Sequence, residues 1–163
     1  VNVLLKQKTV VIIRALYFCM ERKWAELEKL YDISPAQQHI LFLLSTNKNQ
    51  LTPTQLSELG CWHISTVTRL LKPLKANGFI NVTTNKEKPR YKRVSLTAKG
   101  KQMLENLMDA ARDLEQFPFD IGDLSEEEVE KFLKFGQSIL DINKGDDFIK
   151  KVINARVEGY DYV

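Results

Sequence analysis

The chain has 163 residues, 44% of them hydrophobic and 28% charged, with a net charge of +3 at neutral pH. That size suits one compact domain, or a small domain with arms. No run of about 18 apolar residues occurs, so a membrane span is not expected. Lys6 and Lys8 interrupt the apolar start and no small-residue cleavage site follows, which argues against a signal peptide. Cys19 and Cys61 form no CxxC pair and no disulfide framework, a pattern that fits two thiols in a reducing cytoplasm. The modest net charge conceals an asymmetry. Between His63 and Lys101 stand Arg69, Lys72, Lys75, Lys86, Lys88, Arg90, Lys92, Arg93, Lys99 and Lys101, opposed only by Glu87. From Glu105 to Glu130 the balance reverses, with Arg112 the lone cation among ten acids. A concentrated basic block is the footprint of a phosphate-binding surface, although a solvated basic face has the same composition.

In chain order, the first element is a long helix over about Leu4 to Tyr31. Its stripe of Ile13, Leu16, Met20, Trp24, Leu27 and Tyr31 repeats at spacings of three and four. Such a helix has more apolar surface than a small core can cover, which predicts pairing with a second copy. Ser34-Pro35-Ala36-Gln37 and Thr52-Pro53-Thr54-Gln55 each read as an N-cap, a proline at the first helical position and a capping-box glutamine. They open helices running to about Ser45 and to Leu59, the second closed by Gly60 as a left-handed cap. After the turn Gly60-Cys61-Trp62, a fourth helix runs from about His63 to Asn77. Ile64, Val67, Leu70 or Leu71, and Leu74 are its expected buried side, while Ser65, Thr68, Arg69 and Lys72 share the other. Pro73 is expected to kink that helix or end it early near Lys72, because it lacks an N–H and crowds the Arg69 carbonyl.

Phe79 to Thr84 and Tyr91 to Leu96 read as two strands of a hairpin whose tip carries Lys86, Lys88 and Arg90. Thr97 caps a fifth helix expected to reach Phe117, where Pro118 closes it. Ser125-Glu126-Glu127-Glu128 opens a sixth, to about Ile142, with Val129, Phe132, Leu133, Gly136 and Leu140 facing inward. A short helix is expected after Lys144. The fold class is therefore mainly α with a small β-hairpin: a winged helix-turn-helix flanked by long N- and C-terminal helices. Three regions follow: residues 1–33, a dimerisation helix; residues 34–101, the winged lobe; and residues 102–163, helices completing the dimerisation region.

Two helices joined by a short turn, the second with hydroxyls and cations outward, form the helix-turn-helix pattern for double-stranded DNA. A helix in the major groove needs short donors and acceptors plus a few long cations. Ser65, Thr66, Thr68 and Arg69 are that set, with Arg69 the candidate for a bidentate guanine contact and Lys72 placed for phosphate. His63 is a candidate N-cap or DNA contact. Arg90 at the hairpin tip suits the narrow minor groove. Lys86, Lys88, Lys92 and Arg93 suit phosphates, which fix register without reading sequence.

Leu56-Ser57-Glu58-Leu59, Ser65 to Leu71, Gly78-Phe79-Ile80 and Val94 to Gly100 together resemble the MarR family over about Ile33 to Lys101. His63 before Ile64-Ser65-Thr66, with Gly145-Asp146-Asp147-Phe148, is similar to its Hpr-like branch. The resemblance implies a homodimer joined by terminal helices, a pseudo-palindromic operator and often repression. It also implies that small-molecule effectors, phenolic or otherwise anionic, lie between the dimer helices and the DNA-binding lobe. One departure concerns the wing, where the family commonly has an aspartate two residues before the tip arginine. Here that residue is Lys88, and Glu87 is the alternative brace.

Cys61, just before the recognition helix, and Cys19, on the first helix, are candidate redox sensors. The plainer reading of each is a small buried hydrophobe. Trp24 and Trp62 read as packing residues. No cofactor, metal cluster or nucleophile–base pair is suggested, so an enzyme is not expected. The competing function is a winged helix used for protein contact, which usually lacks a cationic recognition helix and a basic wing. RNA binding would favour aromatics on a sheet, and only Tyr91 fits that.

Overall fold

A computed structural model describes residues 1–162 of the chain. The helices are α1 (Val3–Tyr31), α2 (Pro35–Thr46), α3 (Pro53–Leu59), α4 (Ile64–Ala76), α5 (Ala98–Asp113) and α6 (Glu126–Lys144), followed by the short α7 (Asp146–Phe148) and a π-helical turn over Ile149–Ile153. The strands β1 (Gln50–Leu51), β2 (Ile80–Thr84) and β3 (Lys92–Leu96) form an antiparallel sheet in the order β1-β3-β2. The hairpin expected from the sequence is thus the outer part of a three-stranded sheet. Val94 of β3 lies opposite both Val82 and Leu51, and is fully buried between them. Two residues are too few to show an alternating pattern, so β1 leaves no trace in the sequence. Among the described residues no helix is long and apolar enough to cross a membrane.

The cores of α2 and α4 explain the packing. α2 buries Ile40, Leu41, Leu43 and Leu44 and meets α1, α3, α4, α5 and β3. Its one buried polar side chain, Gln38, is satisfied at both ends. The Trp24 indole N–H donates to its carbonyl oxygen at 2.6 Å, and its amide donates to the Ile33 carbonyl at 2.8 Å. An unpaired amide there would cost about 1–3 kcal/mol, so the bond pins α1 to α2. All three predicted capping boxes are present, at Ser34/Gln37, Thr52/Gln55 and Ser125/Glu128.

Several local expectations are corrected. Gly60 is not left-handed (φ −86°); the left-handed residue is Cys61, at φ +57°. Gly60 is small for a different reason: a Cβ there would stand 2.2 Å from the Trp62 ring. α4 does not end at Lys72. It continues past Pro73 to Ala76, and the Asn77 N–H closes it on the Pro73 carbonyl. Arg69 and Pro73 are both exposed, so the carbonyl deprived of its partner opens to water, while Leu74 behind them is anchored in the core. α5 stops at Asp113 rather than Phe117. Leu114 turns extended and Gln116 takes a positive φ, which returns Phe117 to the core.

The terminal helices differ most from expectation. α1 buries only Leu27 of its stripe; Leu16, Met20, Trp24 and Tyr31 are half-buried, and Ile13 is 58% exposed. α6 has no buried residue. The Phe132 and Leu133 expected to face inward are about half exposed, and Phe135 and Ile142 are 69% and 85% exposed. Within one chain these faces have nothing to face.

Gly100 supplies the tightest contact of the lobe. Its ideal Cβ position lies 2.1 Å from the Phe79 carbonyl oxygen and 2.8 Å from Leu96 Cδ1. Gly100 thus lets the first turn of α5 sit directly on the joint between α4 and β2, where the Thr97 hydroxyl donates to the Gly78 carbonyl at 2.7 Å. Alanine normally stabilises a helix relative to glycine by about 1 kcal/mol. Gly100→Ala is expected to do the opposite, lowering unfolding free energy by about 1–3 kcal/mol because backbone must shift. Urea denaturation checks this, and an unchanged or raised stability would contradict the packing described.

Candidate nucleic-acid interface

The turn that starts α4 is held by side chains on both sides. The Ser57 hydroxyl donates to the Trp62 carbonyl at 2.7 Å, and the Trp62 N–H donates to the Ser57 carbonyl at 3.0 Å. His63 is the N-cap: its Nδ1 accepts the Ser65 N–H at 3.3 Å and lies 2.8 Å from the Ser65 hydroxyl. With Nδ1 accepting the Ser65 N–H, the ring proton sits on Nε2, at the exposed head of the helix.

Beyond the cap, α4 buries Val67, Leu71 and Leu74 and exposes Ser65, Thr68, Arg69 and Lys72; Thr66 is half-buried. Ile64, expected inside, is 41% exposed because the first helical residue overhangs the edge of the core. The Thr68 hydroxyl donates to the Ile64 carbonyl at 3.1 Å, which leaves its oxygen free to accept. The outer face therefore presents hydroxyls, an imidazole and two long cations along one helix.

The joint from α4 to the hairpin is equally fixed. Gly78 adopts φ +76°, a conformation costly for other residues. The Lys99 ammonium donates to the Asn77 carbonyl at 2.7 Å and sits over the Phe79 ring, placing positive charge at the C-terminal end of α4. At the hairpin tip the Asn85 side-chain oxygen accepts the Glu87 and Lys88 N–H groups at 2.9 and 3.3 Å, an Asx-type turn. The backbone then closes through Tyr91 N–H to the Lys88 carbonyl and Asn85 N–H to the Tyr91 carbonyl. The sequence reads Asn85 to Pro89 as a charged turn but does not single out the Asn85 side chain, although an asparagine opening a polar turn is the available signal.

Lys86, Lys88, Arg90, Lys92 and Arg93 are all exposed. Glu87 forms no ion pair with Arg90, so the alternative brace is not made. Lys88 instead lies over the Tyr91 ring at 5.9 Å, and Arg93 donates to Gln50 at 3.4 Å. Lys92 and Arg93 also flank a cleft of about 320 Å³ between the hairpin stem and Thr52 at the head of α3. Among the described residues every ion pair lies outside residues 63–101: Lys23–Glu26, Arg112 with Asp109 and Asp113, Lys131–Glu127, Lys150–Asp146 and Lys151–Asp147. The basic block is left uncompensated.

Behind this surface, half-buried His39 is enclosed by rings. It meets Trp24 and Trp62 edge-on and stacks on Phe42 at 6.1 Å. Burial pushes its imidazole below the ordinary histidine range, so it is uncharged at neutral pH. Two cavities adjoin it, one of about 290 Å³ reaching Phe117 and Met108, and one of about 330 Å³ reaching Tyr17 and Glu21. Sequence reasoning gave both tryptophans a packing role, and they do pack, yet they also line open space. Cys19 and Cys61 are free and exposed, contrary to the buried reading. No group of three or more metal-ligating side chains occurs among the described residues.

The MarR family model matches residues 33–90, from the connection between α1 and α2 through the hairpin turn. The HTH-type transcriptional regulator Hpr of Bacillus mycoides (strain KBAB4) is 26% identical over 103 residues, which cover 63% of this chain and 55% of that protein. The chain thus spans about half the length of the curated relatives it matches. Among solved structures, a MarR variant from E. coli complexed with operator DNA superposes with a TM-score of 0.72 at 21% identity, covering 86% of this chain and 99% of that one. The organohalide-sensing regulator RdhR in its 2,4-dichlorophenol-bound form gives 0.75 at 16% identity, covering 98% and 91%. The last two likenesses show a shared fold. Over residues 33–90 the chain is thus similar to the MarR family, and it shares the winged helix-turn-helix fold of those structures.

Proposed function

We propose that this chain is a transcription regulator that binds double-stranded DNA as a homodimer and represses from a pseudo-palindromic operator. The carrying observation is the uncompensated basic block, in which the exposed hydroxyl-and-arginine face of α4 leads straight into a cationic hairpin with no ion pair of its own. α4 would enter the major groove, with Arg69 reading a guanine edge and Ser65, Thr66, Thr68 and the His63 Nε2–H completing the contacts. Lys72 would hold a phosphate. Arg90 would enter the minor groove, with Lys86, Lys88, Lys92 and Arg93 on adjacent phosphates. The MarR–operator structure of the same fold supports this arrangement.

The bare apolar faces of α1 and α6 support the homodimer, since contiguous exposed patches of this kind mark interaction surfaces. Residues 1–33 and 102–163 would then form the dimerisation region around two winged lobes. Such a protein works beside the chromosome in the cytoplasm. The cavities around His39 are suited to a small-molecule effector, and a relative of this fold holds 2,4-dichlorophenol. Both lie within or near the 300–1,000 Å³ usual for such sites.

Selection of bound sequences from a random duplex pool tests the reading and should return a two-fold symmetric motif. Against that motif, Arg69→Ala is expected to cost about 1–3 kcal/mol and relax one base position per half-site. Lys72→Ala should weaken all duplexes alike. Unchanged selected sequences for Arg69→Ala, or no enrichment for wild type, would refute the assignment and leave a protein-contact role.

The wing has its own readout. Each phosphate contact contributes about 0.9 to the slope of log affinity against log salt, so Arg90→Ala should flatten that slope by roughly two units in a dimer. Wild-type affinity and slope in Arg90→Ala would mean the wing does not touch DNA. Sedimentation at micromolar concentration should give about twice the 18.9 kDa chain mass. A folded monomer would remove the dimer from the proposal.

A further inference from the structure

The cavity between α1 and the turn before α4 has a chemistry opposite to that of an acid- or phenolate-binding site. Its walls are the rings of Tyr17, Trp24, His39 and Trp62 and the thioether of Met20. Glu21 is the only carboxylate among its lining residues, and neither lysine nor arginine lines it. The one titratable nitrogen in the lining, on His39, is held neutral by burial. The Tyr17 hydroxyl donates to one Glu21 oxygen at 2.6 Å, and the second oxygen accepts no hydrogen bond among the described residues. An indole-lined space with one free carboxylate oxygen attracts cations through both the ring quadrupoles and the carboxylate charge. The same carboxylate repels an anionic ligand.

The cavity also touches the part of the lobe that sets α4. Trp62 directly precedes the N-cap His63, and its backbone is bonded in both directions to Ser57. Its ring is packed where a Gly60 Cβ would be, leaving it no room to move toward α3. A molecule pressing on this ring from the α1 side would therefore act on the turn that orients the recognition helix.

Resting on the effector reading above, we propose that this cavity binds an aromatic or alkyl organic cation, with its charge on Glu21 and its body between Trp24 and Trp62, and that occupancy changes DNA affinity through Trp62. Trp24 and Trp62 are the only two tryptophans in the chain, so intrinsic fluorescence reports on this site. The probes are benzyltrimethylammonium, its uncharged isostere 2,2-dimethylpropylbenzene, and 2,4-dichlorophenol, each titrated into the 163-residue chain. The cation should bind the wild type at least about tenfold more tightly than its isostere, the scale of a desolvated cation–π contact. Glu21→Gln should erase that preference while melting like the wild type. Tyr17→Phe frees the carboxylate oxygen that the hydroxyl now occupies and should tighten cation binding, so it tests the site even where Glu21→Gln fails to fold. In gel-shift assays on the selected duplex, saturating cation should change the affinity of the wild type but not of Glu21→Gln.

Equal binding of cation and isostere, or a preference that survives Glu21→Gln, would overturn the assignment. Binding of 2,4-dichlorophenol without binding of the cation would overturn the ligand class and leave the effector reading standing. If none of the three binds, both fall. Glu21-dependent cation binding with unchanged duplex affinity would overturn the link through Trp62.

Discussion

α2 gives up almost all of its water, and the lobe is arranged around that loss. Ile40, Leu41, Leu43 and Leu44 are fully buried on more than one side of the helix, so neighbours must cover it nearly all round. α1, α3, α4, α5 and β3 are those neighbours. A helix so enclosed tolerates one polar side chain only if that group is fully satisfied. Gln38 meets the condition by borrowing the Trp24 indole from α1 and the Ile33 carbonyl from the connecting turn. The position of α1 against the winged lobe is thus set by a polar requirement inside α2, more sharply than apolar contact alone would set it.

Charge is divided as cleanly as burial. Ion pairs gather on α1, α5, α6 and the C-terminal turns, where acids and cations stand three or four residues apart on the same helix. Pairs of this exposed kind contribute little to stability. Their effect is to neutralise the helical flanks locally. The lobe from α4 to β3 lacks such partners, so its field is not cancelled within the chain and extends over roughly a Debye length, about 8–10 Å at physiological salt.

How much was legible in the sequence depended on how local the cause is. Ser34, Thr52 and Ser125 announced helix starts because a cap and its partner lie three residues apart. The exposed face of α4 followed from helical periodicity, since Val67, Leu71 and Leu74 define an inside. Gly60 misled because a glycine after a helix usually supplies positive φ, whereas here a ring two residues on takes the space and Cys61 takes the strain. Phe132 and Leu133 misled in another way: a stripe shows that a face is apolar, not that its own chain covers it. The cavity around His39 was illegible because Tyr17, Glu21, His39 and Trp62 converge from separate elements and share no periodicity.

The hairpin tip carries a further consequence. Its outline is drawn by Asn85, by Pro89, which fixes one backbone angle, and by main-chain bonds between Lys88, Asn85 and Tyr91. No side chain at 86, 87 or 90 takes part in holding that shape, and Lys88 contributes its backbone and the contact of its ammonium with the Tyr91 ring. Fold and surface chemistry are therefore separable here, unlike on α4, where one helix must satisfy core and surface together. Descendants of this chain could exchange the residues at 86, 87 and 90 freely and alter the charge that the tip presents while the hairpin itself stayed as it is.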